Sequence, residues 1–354
     1  MAEATAPTPA PSSTGVRKLI LLAIVLVLGY GIYKSAGNSV PKTPDDVLVR
    51  MTRAMATVKT AEFAGNVSAK VEGAKNPLAS IPGATTGDAN KPFSFALAFS
   101  GTSAFDNWEK PQSKLKATLT SSELTSAAEI ELTTVGEDKY FKLNTLPMLG
   151  KLDLSALTNM WVRMQSKPGA VSVTVSSTMS PETTEAVKNI ISGGKYFQVT
   201  EDVGEEDLSG ITTHHYKIGL NEAEVMRVIR AVSEKMNGKS PSIDDEKKMK
   251  SFFDRSEFTN GEVWVGTKDY YLYKLSGGVT IAPSETEKSS GSFTFALDLR
   301  NFNKPVTVDA PAGAKSMSEF MGGFISAMMG GVKLPAGMMG TSLPTSLPSS
   351  MMGR

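Results

Sequence analysis

The sequence predicts an α+β fold, in which a large antiparallel β-sheet with packed helices follows one N-terminal transmembrane helix. Three observations support this fold class. One apolar, uncharged segment, Leu19 to Tyr33, lies near the start of the 354-residue chain. Several later segments alternate apolar and polar residues with a period of two, which is typical of half-buried strands. Many of these strands follow one another without intervening helices, which favours antiparallel pairing.

The apolar segment is predicted to anchor the chain in a membrane, as a signal anchor over residues 17–36. Its fifteen residues span about 22 Å as a helix, against a hydrocarbon core of ~30 Å. Arg17, Lys18 and Lys34 flank it and can snorkel to the membrane surface. We expect a disordered cytoplasmic tail over residues 1–16 and an extracytoplasmic main domain.

A cleaved secretory signal is the alternative, and it would leave a secreted protein. Ser35, Ala36 and Gly37 offer the best cleavage site, although their match to the small-residue pattern is poor. Nothing after residue 36 is apolar enough over a sufficient length to span a membrane again. Both alternatives therefore place the bulk of the chain outside the cytoplasm.

The composition excludes several kinds of chemistry. The chain has no cysteine, which rules out disulfides, thiolate catalysis, cysteine metal sites and a lipidated cysteine. Its net charge is only +1, so no overall electrostatic attraction to nucleic acid is expected. At 40% hydrophobic residues the chain can build a sizeable core without cross-links.

The main domain is predicted to begin with an amphipathic helix over Pro44–Lys59, after a linker at residues 37–43. Thr43 is a suitable N-cap, Pro44 suits the first helical position, and Asp45 complements the positive end of the helix dipole. Apolar residues at helical spacing form one stripe. These residues are Leu48, Met51, Met55 and Val58.

Alternation then predicts a series of strands. The strands predicted in the first half are Ala61–Val71, Phe93–Phe99, Lys114–Leu119, Glu129–Thr133 and Lys139–Leu143. In the second half they are Tyr196–Val203, Ile211–Leu220, Glu262–Val265, Tyr270–Ile281 and Ser292–Arg300. Helices are predicted at Leu152–Met164, at Pro181–Ile191, from an N-cap at Asn221, and at Ile243–Phe253.

The C-terminal region has a different composition, with 8 of the 18 methionines after residue 316. Residues 316–333 form a Met/Gly-rich candidate helix, and residues 334–354 are expected to be disordered. Two interpretations of the candidate helix stay open. It either packs on the main domain or offers an adaptable Met-rich binding face.

The search for catalytic and metal-binding residues predicts no catalytic site, no metal and no cofactor. His214 and His215 are the only histidines, and adjacent side chains of a strand point to opposite faces, so they cannot share a ligand. His214 is expected to pack on the face that carries Tyr216. The acidic clusters Glu205–Asp207 and Asp244–Glu246 are interpreted as solvated turns or helix starts.

Four sequence segments carry a resemblance to a known superfamily. They are Met55–Phe63, Gly210–Ile218, Val263–Gly266 with Tyr271–Leu275, and Asn303–Val306 before Pro311–Ala314. In these segments the chain resembles the LolA-like lipoprotein-carrier superfamily, and within it the LppX/LprG-type lipid-binding branch. The resemblance covers about residues 44–315 and implies a half-open antiparallel barrel with helices on its concave face. It also implies a cavity for acyl chains between the helices and the sheet.

A binding face is predicted where apolar alternation is richest. The candidate ligand-binding residues are Phe63, Val67, Phe93, Phe95, Leu97, Phe99, Ile130, Leu132, Phe293, Phe295 and Leu297. The helices expected to cover this face contribute Leu48, Met51, Met55, Val225 and Ile229. Relatives often carry a lipidated cysteine, whereas in this chain Leu19 to Tyr33 would replace the lipid as the tether.

Two functions are therefore carried forward. The first is a membrane-anchored extracytoplasmic domain that binds a lipid or another hydrophobic ligand without catalysis. The alternative is a structural or sensory envelope protein with a filled core, acting through contacts with a protein partner. An enzyme is disfavoured because no set of titratable residues stands out.

Overall fold

The computed structural model describes residues 41–73, 92–104, 111–122, 124, 126–145, 157–164, 181–192, 194–284 and 288–328. The predicted membrane segment and the region after residue 328 lie outside these ranges. Within them, no helix combines the length and the apolar character needed to cross a bilayer. The helices are α1 (Pro44–Met55), α2 (Pro181–Ser192), α3 (Glu222–Asn237), α4 (Ile243–Arg255) and α5 (Met317–Met328).

The strands form one twelve-stranded sheet. The first six are β1 (Thr60–Glu72), β2 (Phe93–Ala104), β3 (Gln112–Ser121), β4 (Ala128–Val135), β5 (Asp138–Thr145) and β6 (Trp161–Met164). The others are β7 (Phe197–Leu208), β8 (Ile211–Leu220), β9 (Ser256–Gly266), β10 (Leu272–Ile281), β11 (Ser290–Arg300) and β12 (Lys315–Ser316).

The sheet consists of two antiparallel meanders that meet at a central seam. Its strand order is β12-β6-β5-β4-β3-β2-β1-β11-β10-β9-β8-β7. The seam is the antiparallel pair β1 and β11, in which Glu62 lies opposite Arg300. Only the short β12 pairs in parallel, with β6. The sheet is curved and its outermost strands, β7 and β12, do not pair with each other, so the predicted antiparallel sheet is confirmed as an open one.

Helix α1 begins where the capping residues predict. The backbone N–H of Asp46 donates to Thr43 Oγ1 at 3.2 Å, and the backbone N–H of Thr43 donates to Asp46 Oδ2 at 3.1 Å. This reciprocal capping box pairs two N–H groups that have no partner within the helix. The helix ends at Met55, four residues before the predicted end, because Thr57 and Val58 turn into β1.

The largest buried cluster lies between α1 and one half of the sheet. Val47, Leu48 and Met51 of α1 pack there against apolar side chains of β8, β9 and β10. Val263 and Val265 of β9 are fully buried in this cluster. Asp45 Oδ1 also accepts the backbone N–H of Val199, at 3.1 Å, so α1 is joined to the edge strand β7.

The other helices form smaller contacts. Val187 and Ile191 of α2 pack with Val228 and Val232 of α3 in a second cluster. Helix α5 lies at the opposite end of the sheet, where the ring of Phe320 meets that of Phe141 edge-on, at 5.3 Å between centroids. This contact agrees with the interpretation that the C-terminal helix packs on the main domain. Met321 of the same helix is 44% exposed.

Two sequence predictions are wrong. Trp161 to Met164 were predicted to end a helix, but they form β6, because pairing with β5 outweighs their helical spacing. Val162 is fully buried there. Glu205 to Asp207 were interpreted as a turn or helix start, yet they lie in β7, which runs five residues past its predicted end.

The remaining predicted elements are found with shifted ends. Asn221 caps α3 by accepting the backbone N–H of Glu224, and Asp244 to Glu246 start α4. Strand β9 begins at Ser256, six residues before its predicted start, because it follows α4 directly. The predicted strand that begins at Tyr270 starts at Leu272 instead, after the turn that Tyr270 closes with positive φ.

Candidate ligand-binding face

All eleven predicted binding residues lie on one face of the sheet. The strand registers place Val67 opposite Leu97 on one side and opposite Phe295 on the other. Phe99 lies opposite Ala117, which lies opposite Ile130. Since paired residues of neighbouring strands point to the same face, the set is continuous from β11 to β4.

The same registers add residues that the sequence-based set omits. Leu115 lies beside Leu132, and Leu119 lies opposite Leu97. Both belong to an alternating segment of the sequence, so the same signal could have found them. We call the whole surface the apolar floor. It consists of Phe63, Val67, Phe93, Phe95, Leu97, Phe99, Leu115, Leu119, Ile130, Leu132, Phe293, Phe295 and Leu297.

Two aromatic rings of the floor occupy the space beside glycines of neighbouring strands. A Cβ on Gly65 would come within 2.6 Å of Phe99 Cζ, and one on Gly101 within 2.8 Å of Phe63 Cζ. The Phe63 and Phe99 rings are tilted neighbours, 6.3 Å apart. The missing side chains thus leave the space that these two rings occupy.

The floor is covered only in part. Leu297, which lies beside the α1 cluster through Leu275, is 7% exposed, and Phe93 is 8% exposed. The other floor residues are only half-buried. At the far end Phe320 of α5 covers Phe141, which is paired with Leu132. The floor therefore lies between the two places where α1 and α5 pack on the sheet.

The predicted helix cover divides into two groups. Leu48 and Met51 are buried over β8, β9 and β10, and Met55 lies at the edge of this cluster, with Sδ 3.2 Å from the backbone nitrogen of Leu272. Val225 instead packs with the α2–α3 cluster, and Ile229 is a half-buried residue of α3. Of the five residues, only the three from α1 pack against the sheet cluster that adjoins the floor.

The two faces of the sheet differ in charge. On β1 to β4 and β11, no strand position that shares the floor side carries a charged residue. The outer face carries cross-strand ion pairs, including Lys142 with Glu131 at 3.0 Å and Arg300 with Glu62 at 3.1 Å. Burial raises the pKa of Tyr216, which packs in the α1 cluster, to about 12.

A shallow groove with a volume of about 550 Å³ lies on the outer face, across β11, β1, β2 and β3. Seven serine and threonine residues line it, and we call it the hydroxyl groove. They are Ser68, Ser94, Thr120, Ser121, Ser122, Ser292 and Thr294. Ala96 lies between Ser68 and Thr120 in register, and Lys70 completes the polar lining. Sequence alternation marked these positions only as solvent-facing.

A polar cluster on the outer face of β7 to β10 also escaped the sequence analysis. His215 stacks on Trp264 with ring centroids 4.2 Å apart, and both approach Glu206 Oε2. Trp264 Nε1 donates to it at 2.9 Å, and His215 Nδ1 lies at 3.0 Å. As predicted, the two histidines face opposite sides, and His214 stacks on Tyr216 at 6.0 Å. Among the described residues, no group of three or more metal-ligating side chains converges.

Comparison with solved structures finds similar chains. The lipoprotein LppX of Mycobacterium tuberculosis matches 75% of this chain and 97% of its own, at 14% identity and a TM-score of 0.32. LprF of Mycobacterium bovis matches 76% of this chain and 97% of its own, at 13% identity and a TM-score of 0.36. A LolA-superfamily protein of Nitrosomonas europaea matches 77% and 96%, at 8% identity and a TM-score of 0.18.

No protein-family model matches the chain, and no curated protein is similar to it in sequence. The identities and TM-scores are low, so the architecture rests on the strand order and registers of this chain itself.

Proposed function

We propose that the apolar floor binds a lipid or another hydrophobic ligand, and that the chain is a non-catalytic, membrane-anchored extracytoplasmic protein. The observation that carries this proposal is a continuous apolar face over five strands that bears no charged side chain. Most of its phenylalanines and leucines remain half-buried between α1 and α5. Exposed apolar patches of this kind mark ligand or interaction sites.

Burial of apolar surface supplies the favourable free energy for a ligand on the floor. A ligand that removes roughly 300 Å² of apolar surface from water gains about 7 kcal/mol before the cost of association. Flat aromatic rings and β-branched side chains lose little rotational freedom on contact, which keeps that cost low. The floor offers no polar group to orient a headgroup, so selectivity for the chain region of a ligand would come from shape.

The ligand is expected to be bound rather than transformed. The side chains that share the floor on β1 to β4 and β11 carry no group that titrates near neutral pH. In this proposal Leu19 to Tyr33 tether the domain of residues 44–315 to the membrane from which a ligand is taken. A tethered protein suits local binding or handover better than transport over a distance.

The test is mass spectrometry of the purified full chain, produced in a host with membranes and analysed intact and after organic extraction. We expect a reproducible lipid-sized adduct that is lost in Phe95→Glu, because a carboxylate on the floor would have to be desolvated by the ligand. Ala98→Glu is the matched control, since Ala98 lies on the same strand and faces outward.

The outcome depends on the contrast between the two variants. If both keep their secondary structure by circular dichroism and only Phe95→Glu loses the adduct, the proposal holds. Phe295→Glu, on the seam strand β11, provides a second variant in case Phe95→Glu fails to fold. A clean mass for the unaltered chain, unchanged after incubation with a total lipid extract, would remove the hydrophobic-ligand proposal.

One observation favours the alternative function, a structural or sensory envelope protein. Part of the face that carries the floor is already covered, because Leu48 and Met51 pack in one buried cluster with Val263 and Leu275. A clean mass in the experiment above would lead to cross-linking of the full chain in membranes. A specific envelope protein captured through the floor, and lost in Phe95→Glu, would support this second proposal.

A further inference from the structure

The hydroxyl groove is the part of the outer face that differs in chemistry from its surroundings. Elsewhere this face carries cross-strand ion pairs, such as Lys116 with Glu129 at 3.7 Å. The groove contains hydroxyls and small side chains, and the register places Ala96 between Ser68 and Thr120. These small residues create the depression, whose volume of about 550 Å³ lies within the ~300 to 1,000 Å³ range of small-molecule sites.

We propose that the hydroxyl groove is a second binding site, for a neutral saccharide. A hydroxyl group both donates and accepts hydrogen bonds, so a row of serines and threonines can match either role of each sugar hydroxyl. Most of its hydroxyl side chains lie on the opposite face of the sheet from the apolar floor, and Phe95 is the one floor residue in its described lining. The proposal does not depend on the function proposed for the floor.

The charge of the groove favours a neutral ligand over an anion. Among the described lining residues Lys70 is the only cation, and it pairs with Glu72 at 2.7 Å, so its charge is already balanced. None of the described lining residues carries a carboxylate. A phosphate or sulfate would compete with Glu72 for the ammonium group, whereas a sugar ring would only exchange hydrogen bonds with water.

The hydroxyls are held in position before a ligand arrives. Ser68 Oγ and Thr294 Oγ1 are 2.6 Å apart and bonded to each other, and Ser122 Oγ accepts the backbone N–H of Ser94 at 3.2 Å. The two threonines have restricted side-chain rotation because they are β-branched. Binding therefore orders few additional groups, which reduces its entropic cost.

The test uses saturation-transfer NMR on the full chain in a zwitterionic detergent, with maltose and cellobiose as probes of a free saccharide. Octyl glucoside, below the concentration at which it forms micelles, probes the sugar headgroup of a lipid. Ala96→Phe fills the groove, and Ala98→Phe is its matched control, two residues along the same strand and outside the lining.

Two isosteric variants remove single hydroxyls. Thr120→Val and Thr294→Val should each weaken sugar binding about fivefold, the effect of one lost hydrogen bond between neutral groups. Thr118→Val, on the same strand and face as Thr120 but outside the lining, should leave it unchanged. Thermal unfolding of each variant distinguishes a lost site from a lost fold.

The possible results separate clearly. Transfer to the ring protons of maltose or cellobiose that disappears in Ala96→Phe and persists in Ala98→Phe supports a free saccharide. Transfer to octyl glucoside alone, again lost in Ala96→Phe and kept in Ala98→Phe, identifies the sugar headgroup of a lipid as the ligand. Three results would overturn the proposal. They are an absence of transfer to all three probes, transfer that is unchanged in Ala96→Phe, and displacement of the sugar by inorganic phosphate. Loss of lipid from the floor in Phe295→Glu, whose side chain is outside the groove lining, would not affect this result.

Discussion

Gly65 lets the Phe99 ring and the backbone of β11 approach β1 closely. A Cβ at this position would meet both Phe99 Cζ and the backbone oxygen of Ala296 at 2.6 Å. The ring could move away, but the oxygen belongs to the seam and cannot. We expect Gly65→Ala to lower the free energy of unfolding by about 1 to 3 kcal/mol, the usual cost of overpacking, as measured by urea unfolding.

Gly219→Ala provides the comparison for this prediction. Its added Cβ would lie 3.4 Å from Thr200 Cγ2, at the limit of ordinary van der Waals contact. We expect this variant to unfold within about 0.5 kcal/mol of the unaltered chain, as surface substitutions do. Equal destabilisation by the two alanines would show that close approach at Gly65 has no special cost.

At the residue scale, the sequence predicts on which face of the sheet a side chain lies better than it predicts which side chains it contacts. Alternation alone placed Phe63, Leu97 and Phe293 on one side of the sheet, because the period of a strand is two. It could not find the cluster of Glu206, His215 and Trp264. Trp264 lies 58 residues after Glu206, and only the register of β7 to β9 brings them together.

At the scale of elements, Glu224 joins the start of α3 to the segment before β7. Its carboxylate accepts two hydrogen bonds from Arg227, both at 2.8 Å, and the backbone N–H of Lys195 at 3.1 Å. The hydrogen bond from Arg227 is the main cause that holds the pKa of Glu224 below its ordinary value. A carboxyl with a lowered pKa stabilises the fold above its unfolded pKa, and this stabilisation is lost as the pH falls.

We therefore expect Glu224→Gln to lower the free energy of unfolding by about 1 kcal/mol at pH 7, a value moderated by partial exposure. The difference should shrink as the pH falls through the lowered pKa, because protonation removes the same interaction from the unaltered chain. Urea unfolding between pH 7 and pH 3 measures it. Glu222→Gln, an exposed carboxyl in the same turn, is the control. A difference that persists unchanged at pH 3 would contradict this role.

Helix starts were predictable because their signals are local, whereas strand pairing is not. Thr43 and Asn221 cap helices through bonds to residues three positions away, which a sequence displays directly. The four residues of β6 carry no comparable local signal. Their state depends on β5, and the pair of Arg163 with Asp138 at 2.6 Å forms only after the strands meet. Local spacing therefore predicted a helix where a distant partner imposes a strand.

At the scale of the whole molecule, the sheet depends on one long-range seam. Within each meander the strands pair with neighbours in sequence, but β1 pairs with β11 across most of the domain. Glu62 and Arg300, which are joined across this seam, lie 238 residues apart. The alternating pattern predicts both strands but not their pairing. The resemblance to a half-open barrel implied a curved sheet without specifying where its two halves join.

The seam determines whether the domain unfolds as one unit. Eleven residue pairs in regular register join β1 to β11, and β2 and β10 flank them on either side. We expect the amides of β1 and β11 to exchange hydrogen only by global unfolding. Those of the edge strands β7 and β12 should exchange by local opening, which has a lower free energy. Hydrogen exchange followed by mass spectrometry in increasing urea measures this order. If peptides of β7 to β10 stay protected after β1 has exchanged, the two meanders unfold separately and the seam does not unite them. Exchange of β1 to β5 and of β8 to β11 at a single urea concentration would establish the domain as one cooperative unit.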